Sequence, residues 1–525
     1  MNTKSKIIGL IFFFGLIIFF QLKNINNKVT ERHAWANADH YAIAIGFTNN
    51  NFDFFHPETF CLNPQFKATK GEKFTYKNNE DFWDSNLKEP KGITAIDFPI
   101  HQYIVSLLMT SLKSTNPWIY RLYILLISLI GLYFLFKTSL LINKSYFISS
   151  LLILFVYLSP TYNFYSFQFL PSAASLSFIF IAFYHYIKYL KFNKQLNWFY
   201  CLAFILIAGL ARLPFIIYAL ALLANYLLKS ITDKKIEWNK LLSLGFIILI
   251  VAGYFLYNKL YLSRLYGSNF LNYPLFPKNI NDVYSSLWET IYYESWRYFT
   301  PIHYLIIIIL FTKFFKPIKN KIVHSNLIVL YILCGGVILY SLLMLKQFPA
   351  HDYYLLDTYF PLLIIIITLS SNYFNFDFSK KKTAVFVTIT ISIIFLQIIT
   401  DYGYRTREGS PLTKTIHNFT GADKILDSLQ IHTDQKILLL DSYSPNGAFI
   451  GMKRKGFCVM ITSHEVIKRA LTWDFDYIIT QKFSYKDDIL KSYPNFENET
   501  TLFYQNNNFS IYQLKNHDTR IKKNQ

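Results

Sequence analysis

Two short segments in the N-terminal part of the chain place a carboxylate close to a histidine. The first contains Asp39, which is followed directly by His40. The second contains Asp97, with His101 and Tyr103 close behind it. A positioned carboxylate can act as a general base on an attacking hydroxyl group, or it can orient a substrate or a divalent cation. Because the histidine spacing fits no standard metal site, the carboxylates are the first candidates for chemistry.

Both carboxylates also have an ordinary structural explanation. The apolar spacing of residues 38–47 predicts a helix, and Asp39 at its start would be a suitable N-cap or first-turn residue. Asp97 could simply begin a helix over residues 99–112. The sequence leaves these interpretations open beside the chemical one.

The elements that must position these residues are mainly membrane spans. The chain of 525 residues is 53% hydrophobic and 16% charged, whereas soluble proteins carry about 25% charged residues. The first apolar run, residues 7–20, is interpreted as an uncleaved first transmembrane helix or signal anchor. Further runs long enough to cross a hydrocarbon core of ~30 Å bring the total to about eleven spans; they are residues 117–137, 145–160, 171–189, 196–211, 213–228, 241–258, 301–315, 325–345, 355–371 and 382–399. The predicted fold class is therefore an all-α polytopic membrane protein.

One apolar stretch, residues 198–228, is too long for a single spanning helix. Arg212 and Pro214 lie in its middle. Proline interrupts a helix, and an arginine inside an apolar stretch is costly. We therefore predict a tight turn between two helices, with Arg212 either in a functional site or at the loop tip, where its charge would reach water.

The excess of basic residues follows from this organisation. The chain has 52 Lys and Arg against 32 Asp and Glu, a net charge of +20. The lysines cluster in every second short loop, which places those loops and the N-terminus in the cytoplasm. The segments 23–98 and 259–300 then form large outer loops. The charge is a signal of membrane topology, and the sequence predicts no nucleic-acid partner.

Residues 401–525 predict a separate, extracytoplasmic α/β domain beside a membrane domain over residues 1–400. Strand patterns cover 436–441, 456–461 and 475–480, and the stretch 495–509 is typical of a hairpin. Ser463 is the expected N-cap of a helix that ends at Leu471. Cys61 and Cys458 would both face an oxidising compartment, but their spacing leaves open whether they pair.

Three motifs resemble those of the GT-C membrane glycosyltransferases. They are R-x6-D-x3-I-A-x2-F over 32–47, an acidic residue before F-P-x-x-Q-Y ending at 103, and Phe348-Pro-Ala-His-Asp-Tyr-Tyr354. Arg121 in the next helix fits the same pattern. More narrowly, the chain is similar to bacterial relatives of protein O-mannosyltransferases and the lipid A aminoarabinose transferase. In these relatives the second acidic position is often Glu, whereas it is Asp97 here, which shortens the side chain and keeps the carboxylate.

The resemblance implies a GT-C architecture up to about residue 400 and an inverting transfer of a sugar from a polyprenyl-phosphate donor to an outer acceptor. Asp39 would be the general base, and Asp97 would be the second catalytic carboxylate, acting on a substrate or a divalent cation. No cofactor is certain. Cationic side chains would neutralise the departing phosphate. The substrate-binding candidates are His40, Arg121, Arg212, Arg297, Lys346, His351, Asp352 and Tyr353; Arg297 could instead pair with Glu294.

Several partners and alternatives remain open at this stage. The acceptor would be lipid A, another glycan or a protein, and the setting would be a bacterial inner membrane with a periplasmic C-terminal domain. An endoplasmic-reticulum setting would place the sequons at Asn418, Asn498 and Asn508 in the lumen. A transporter or flippase would need ionisable residues at mid-membrane, and the span interiors are nearly free of them. An O-antigen polymerase or ligase would have its largest outer loop later in the chain. A non-catalytic scaffold is the remaining alternative.

Overall fold

The fold is taken from a computed structural model of the chain. It describes residues 11, 14–15, 17–63, 91–268, 274–314, 321–371, 392, 395–396, 398–405, 409–460 and 462–515. Half of the predicted span at 7–20 and most of that at 382–399 lie outside these residues.

The described part of the chain is mainly helical. Its α-helices are α1 (Ala34–Asn49), α2 (Ile100–Ser111), α3 (Pro117–Asn143), α4 (Tyr146–Tyr157), α5 (Pro160–Tyr165), α6 (Ser172–Phe192), α7 (Gln195–Ala211), α8 (Ile216–Thr232), α9 (Trp238–Tyr257), α10 (Ser263–Tyr266), α11 (Ile280–Glu289), α12 (Ser295–Tyr298), α13 (Pro301–Phe314), α14 (Lys321–Leu343), α15 (Tyr354–Asp357), α16 (Tyr359–Ser370), α17 (Pro411–Asn418), α18 (Ala422–Ser428), α19 (Gly447–Met452), α20 (His464–Ala470), α21 (Lys482–Ser484) and α22 (Phe496–Glu499). Short 3-10 turns cover Leu213–Phe215 and Leu345–Ala350, and π-helical turns cover Asn258–Leu262, Thr290–Glu294, Asp401–Arg405 and Tyr485–Leu490.

The chain divides into two compact units. The helical unit consists of Met1–Ile25, Tyr120–Phe255 and Asn272–Tyr404, and the sheet unit consists of Asn26–Ile119, Leu256–Leu271 and Arg405–Gln525. The sheet unit thus contains segments from three distant parts of the sequence. The predicted domain boundary at residues 400 and 401 remains a prediction.

The helical unit contains helices with the length and composition of membrane spans. Four such helices are found among the described residues: Pro117–Asn143, Ser172–Phe192, Leu213–Thr232 and Trp238–Tyr266. Shorter apolar helices cover Tyr146–Tyr157, Gln195–Ala211, Leu327–Leu343 and Tyr359–Ser370. The predicted character of a polytopic membrane protein is therefore confirmed, while the number of eleven spans stays a prediction.

The predicted break near Arg212 is present. Helix α7 ends at Ala211, and Arg212 has an extended backbone with φ −148° and ψ 106°. A 3-10 turn that contains Pro214 follows, and then α8 begins. Proline is tolerated there because the first backbone N–H groups of a helix have no intrahelical partner. The side chain of Arg212 is therefore presented from a helix terminus and is 4% exposed.

The core of the helical unit is formed by apolar faces of α6, α7, α8, α9, α14 and α16. Ile187, Ile205, Ala219 and Leu244 are almost completely buried there. Burial of an aliphatic side chain of this size removes apolar area worth roughly 1.5–3 kcal/mol when the alternative is water. Among helices in a bilayer, close packing replaces that driving force.

The first helix of the sheet unit is α1, which begins earlier than the sequence indicates. The helix runs from Ala34 to Asn49, so Asp39 lies in its second turn and is neither the N-cap nor a first-turn residue. Gly46 allows the backbone of Glu58 to pass against this helix, since a Cβ atom there would lie 1.8 Å from the Glu58 carbonyl oxygen. Helix α2 begins at Ile100, after Pro99 at its N-cap position, and it contains no acidic residue in its first turn.

A mixed five-stranded sheet follows in the C-terminal part of this unit. Its strands are β1 (Ile437–Leu440), β2 (Gly456–Val459), β3 (Tyr477–Gln481), β4 (Thr500–Gln505) and β5 (Phe509–Leu514). The order is β2-β1-β3-β5-β4, with the first three strands parallel and the β4–β5 hairpin antiparallel. The predicted strands and hairpin are therefore present, and Ser463 caps α20 by accepting a hydrogen bond from the Val466 N–H.

Residues 60–62, which belong to the first segment of the sheet unit, contribute an additional bridge beside this sheet. Cys61 forms a parallel β-bridge with Gly456 of β2. Leu62 donates its N–H to the Gly456 carbonyl at 2.8 Å, and Gly456 donates to the Phe60 carbonyl at 3.1 Å. Backbone hydrogen bonds therefore join residues 60–62 to strand β2, which lies far along the sequence.

Candidate functional site

Asp39 is a buried carboxylate on α1. It is 5% exposed, and its Oδ1 accepts a hydrogen bond from the Asn446 side-chain amide at 2.8 Å. The side chain of Trp35, one helical turn earlier, also hydrogen-bonds the carboxylate. The alternative explanation of Asp39 as a helix-capping residue is wrong, because α1 begins five residues before it.

The surroundings of Asp39 change its acidity. Burial disfavours the charged form and raises the pKa of Asp39 to about 8, while the bonds from Asn446 and Trp35 oppose this rise. A carboxyl group with a pKa in this range exchanges its proton near neutral pH. Such a group can act as a general base without leaving a fixed charge in an apolar site.

Asn446 is the partner that sequence reasoning missed. It lies in the turn after β1, at the carboxyl end of the parallel strands, where α/β sheets commonly build ligand sites. Its side chain is completely buried and does not cap α19. Its Oδ1 accepts the Cys61 backbone N–H at 3.1 Å, and this contact fixes the amide so that its nitrogen faces Asp39. The signal in the sequence is the stretch Ser442-Tyr-Ser-Pro-Asn-Gly447, which is typical of a turn and directly follows the strand pattern 436–441.

His40 and the second acidic segment belong to the same unit. The Gln102 amide nitrogen on α2 donates to Nδ1 of His40 at 2.7 Å, and this contact connects α1 with α2. Asp97 is half-buried in the loop just before α2. This loop is held by Asn258, whose amide donates to the Ile96 carbonyl at 2.9 Å. His101 is completely buried, and burial lowers its pKa to about 3, so that it remains neutral.

The helical unit contains a different buried arrangement around Arg212. Its Nε donates to Oδ2 of Asp357 at 3.1 Å, and Ser172 donates to the same oxygen at 3.3 Å. The guanidinium carbon lies 5.7 Å from the ring centroid of Tyr353. The structure therefore brings two predicted residues, Arg212 and Tyr353, together with Asp357, which the sequence analysis did not single out.

The loop that carries the third motif is anchored by its neighbours. Asp352 is completely buried and accepts a hydrogen bond from the Tyr165 hydroxyl at 2.6 Å. His351 is hydrogen-bonded through Nδ1 to the Gln347 carbonyl at 3.0 Å. Tyr165 also packs edge-on against Tyr353. The positions of 351–353 are thus determined by contacts within the helical unit.

The three remaining cationic candidates occupy three different settings. Arg121 is completely buried, donates from Nη1 to the Ile25 carbonyl at 3.2 Å and stacks over Phe169 at 4.8 Å. Arg297 forms an ion pair with Glu294 at 2.8 Å, which is the alternative considered from the sequence. Lys346 pairs with Asp282 at 3.1 Å near the surface.

The candidates therefore fall into two groups. Asp39, His40 and Asp97 lie in the sheet unit, and the substrate-binding candidates from residue 121 onward lie in the helical unit. Within the described ranges, no group of three His, Cys, Asp or Glu side chains is arranged to hold a metal ion. The proposed catalytic and binding roles remain predictions.

Comparison with known proteins gives a fold and no sequence relative. No protein-family model matches the chain, and no curated protein matches its sequence. A crystal structure of ArnT from Cupriavidus metallidurans bound to undecaprenyl phosphate is similar over 97% of this chain and 98% of that one, with a TM-score of 0.55 and 8% identity. The apo structure of the same ArnT aligns over 91% of this chain and 92% of that one, with a TM-score of 0.44 and 9% identity.

The first of these likenesses defines the class of fold. Because the alignment covers nearly the whole of both chains, the protein shares the fold of this ArnT structure, as the resemblance to the lipid A aminoarabinose transferase predicts.

Proposed function

We propose that the protein is an inverting membrane glycosyltransferase that uses Asp39 as its general base. The observation that carries this proposal is the buried Asp39 carboxyl group, with its pKa near 8 and its bond from Asn446, within a chain of GT-C fold. Fold alone does not determine function. The chemistry of this one side chain is what favours a transferase over a transporter or a scaffold.

The proposed donor is a sugar linked to a polyprenyl phosphate. Support comes from the ArnT structure of similar fold, which is bound to undecaprenyl phosphate. A donor of this kind keeps its lipid tail in the bilayer and its phosphate at headgroup level. The helical unit contains helices long and apolar enough to cross a membrane, and the bilayer around them would hold such a lipid.

The reaction would proceed by a single displacement. Asp39 takes the proton of the acceptor hydroxyl group as the oxygen attacks the anomeric carbon. The bond from that carbon to the phosphate oxygen breaks on the opposite side, so the configuration at carbon is inverted. Asn446 holds the carboxylate by donating to it, and a general base in this position contributes about 10²–10⁴-fold to the rate.

The cationic side chains would stabilise the departing lipid phosphate. Arg121, Arg297 and Lys346 are assigned to this task, because fixed positive charge acts strongly where water is excluded. The ion pair of Arg212 with Asp357 is buried, whereas Arg297 and Lys346 remain partly exposed in their pairs with Glu294 and Asp282. We therefore assign Arg212 to the positioning of the loop that contains Tyr353, with a weaker direct effect on the phosphate.

The remaining candidates would bind the substrates. Asp97, half-buried before α2, would orient the acceptor or a divalent cation. His40, half-buried beside Gln102 of α2, would contact the acceptor, while His351 and Asp352 would shape the donor site from their anchored loop.

The proposed setting is a bacterial inner membrane. We keep the prediction of about eleven spans, with the N-terminus in the cytoplasm and the C-terminal domain in the periplasm. Acceptors in that compartment are lipid A, other glycans and proteins. Mass spectrometry of these three fractions, with and without the gene, would identify the acceptor by the loss of one sugar from one fraction.

The decisive experiment compares Asp39→Asn with the unaltered protein in sugar transfer from an undecaprenyl-phosphate donor. The variant keeps the size of the side chain and can still accept from Asn446, so it should fold and lose about 10²–10⁴-fold in rate. The matched control is Asp441→Asn, since Asp441 is another buried carboxyl group of the sheet unit whose pKa is raised to about 6. Full activity in Asp39→Asn would refute the assignment.

A further inference from the structure

Two cysteines that are far apart in the sequence meet inside the sheet unit. The Sγ atoms of Cys61 and Cys458 are 3.5 Å apart, across 397 positions of sequence. Both residues are buried, at 2% and 8% exposure. The two sulfur atoms are thus in van der Waals contact in the reduced form.

The backbones on both sides of this contact are held in place. The Cys61 segment runs parallel to β2, where Cys61 forms its bridge with Gly456, two residues before Cys458. The Cys458 N–H donates in turn to Oδ1 of Asn63, two residues after Cys61, at 2.6 Å. Because each segment is hydrogen-bonded to the other, the two backbones that carry the sulfur atoms cannot move apart without the loss of these bonds.

Other uses of the two thiols fit the structure less well. Metal binding would need further ligands, and no cluster of three metal-ligating side chains occurs in the described residues. Burial, the neighbouring thiol and Asp39 all raise the pKa of Cys61, and a thiol of this kind is a poor nucleophile. A disulfide removes both thiols from the interior and leaves no group that must ionise there.

We propose that Cys61 and Cys458 form a disulfide bond in the mature protein. Two S–H bonds break and one S–S bond forms, with the release of two protons and two electrons. A disulfide of a thiol–disulfide oxidoreductase in the outer compartment accepts the electrons and is reduced to its dithiol. The inference rests on the proposed function in one respect, since it requires the sheet unit to face that oxidising compartment.

The bond has a direct consequence for the candidate site. The Cys61 backbone N–H donates to Asn446, and Asn446 donates to Asp39. A covalent bond at Cys61 therefore restrains the backbone that holds Asn446, and Asn446 in turn holds the Asp39 carboxyl group. It also ties the first outer segment to the C-terminal sheet, and the loop it closes in the unfolded chain is very long, which favours stabilisation.

The first experiment determines the state of each cysteine in the full-length protein isolated from membranes. Free thiols are blocked with N-ethylmaleimide under denaturing conditions, and the protein is digested without reduction and examined by mass spectrometry. The expected result is a linked peptide pair containing Cys61 and Cys458. Cys201 is an internal control, since it is buried in the helical unit and should carry the maleimide. Alkylation of both Cys61 and Cys458 would overturn the proposal.

A second experiment measures the effect of the bond on stability. Dithiothreitol should lower the thermal midpoint of the unaltered protein by several degrees, because the constraint on the unfolded chain is lost. The Cys61→Ser and Cys458→Ser double variant should melt at the reduced midpoint and show no further response. Cys201→Ser should keep the full response. If dithiothreitol does not change the thermal midpoint of the unaltered protein, the proposed disulfide bond is contradicted.

A C-terminal alkaline-phosphatase fusion separates the two proposals. An active fusion with both cysteines alkylated overturns the disulfide and leaves the transferase intact. A linked peptide pair together with normal transfer by Asp39→Asn supports the disulfide and overturns the transferase mechanism. An inactive fusion places the tail in the cytoplasm and overturns the premise of both.

Discussion

Each of the two units buries an aspartate, and the two carboxyl groups differ in whether the side chains that hold them are charged. In the helical unit, Asp357 meets the guanidinium of Arg212 and the hydroxyl of Ser172, so its charge is balanced. In the sheet unit, Asp39 meets the amide of Asn446 and the indole of Trp35, which carry no charge. An ion pair fixes a carboxylate in one protonation state, whereas a neutral hydrogen-bond donor leaves it free to take up and release a proton.

This difference separates a structural role from a chemical one. A carboxylate locked against arginine can hold two helices or a loop in register, but it would make a poor general base. A carboxyl group whose pKa lies near the working pH can transfer a proton within a catalytic cycle. The predictions below use this contrast, in order of decreasing effect.

Breaking the ion pair should have the largest effect on stability. Arg212→Ala leaves the buried charge of Asp357 without its partner, and the free energy of unfolding should fall by about 3–5 kcal/mol. The double variant Arg212→Met with Asp357→Leu removes both charges and should recover most of the loss. Thermal denaturation in detergent measures both, and an unchanged midpoint in the single variant would contradict the structural role.

Neutralising Asp39 should raise the free energy of unfolding at alkaline pH, whereas the change at Arg212 lowers it. Its pKa in the folded protein, about 8, lies above the ordinary value of 3.8, so the stability from its neutral form is complete below about pH 4 and is lost as the pH rises through 8. Asp39→Asn should therefore be more stable than the unaltered protein at pH 8–9, by about 1–3 kcal/mol, and equally stable near pH 4. Urea unfolding at several pH values tests the sign, and a variant that is less stable at pH 9 would refute it.

Removing the neutral donor should shift the pH profile of the reaction. The Asn446 bond lowers the pKa of Asp39, so Asn446→Ala should raise it, and the rise of kcat with pH should move to higher pH. At pH 7.5 we expect about a tenfold loss in kcat, with partial recovery at pH 9 and little change in KM. Ser444→Ala is the matched control in the same turn, because its hydroxyl accepts from the Gly447 N–H. Ser444→Ala should leave the pH dependence of kcat unchanged.

The smallest effect is expected at the half-buried ion pair of Lys346 with Asp282, whose side chains are 33% and 24% exposed. A pair that solvent can reach contributes little to stability, so Lys346→Met should leave the thermal midpoint nearly unchanged. If Lys346 also stabilises the departing phosphate, kcat should fall in Lys346→Met, with a smaller change in the KM for the donor. Asp282→Asn breaks the same ion pair without removing the cation, and it should leave kcat unchanged. Equal kcat values in the two variants would remove Lys346 from the site.

The sequence by itself determined the local elements. The apolar runs fixed the helices around the break at Arg212, because an arginine followed by Pro214 interrupts a helix whatever surrounds it. The alternation of strand and turn residues fixed the α/β character of the tail, and Ser463 marked a helix start through its own hydroxyl group. The carboxylates at 39 and 97 were also visible, since their motifs lie within a few residues.

Only the tertiary structure decided which side chains face one another. Asp39 and Asn446 are 407 positions apart, Arg212 and Asp357 are 145 apart, and the two paired cysteines are 397 apart. No local pattern encodes such pairs, because they form only when distant segments are packed into one unit. The early start of α1 was missed because no capping side chain marks it: His33 precedes the helix in a left-handed conformation and its side chain does not cap the first turn. The partner of a buried carboxyl group sets its chemistry, and the fold chooses that partner.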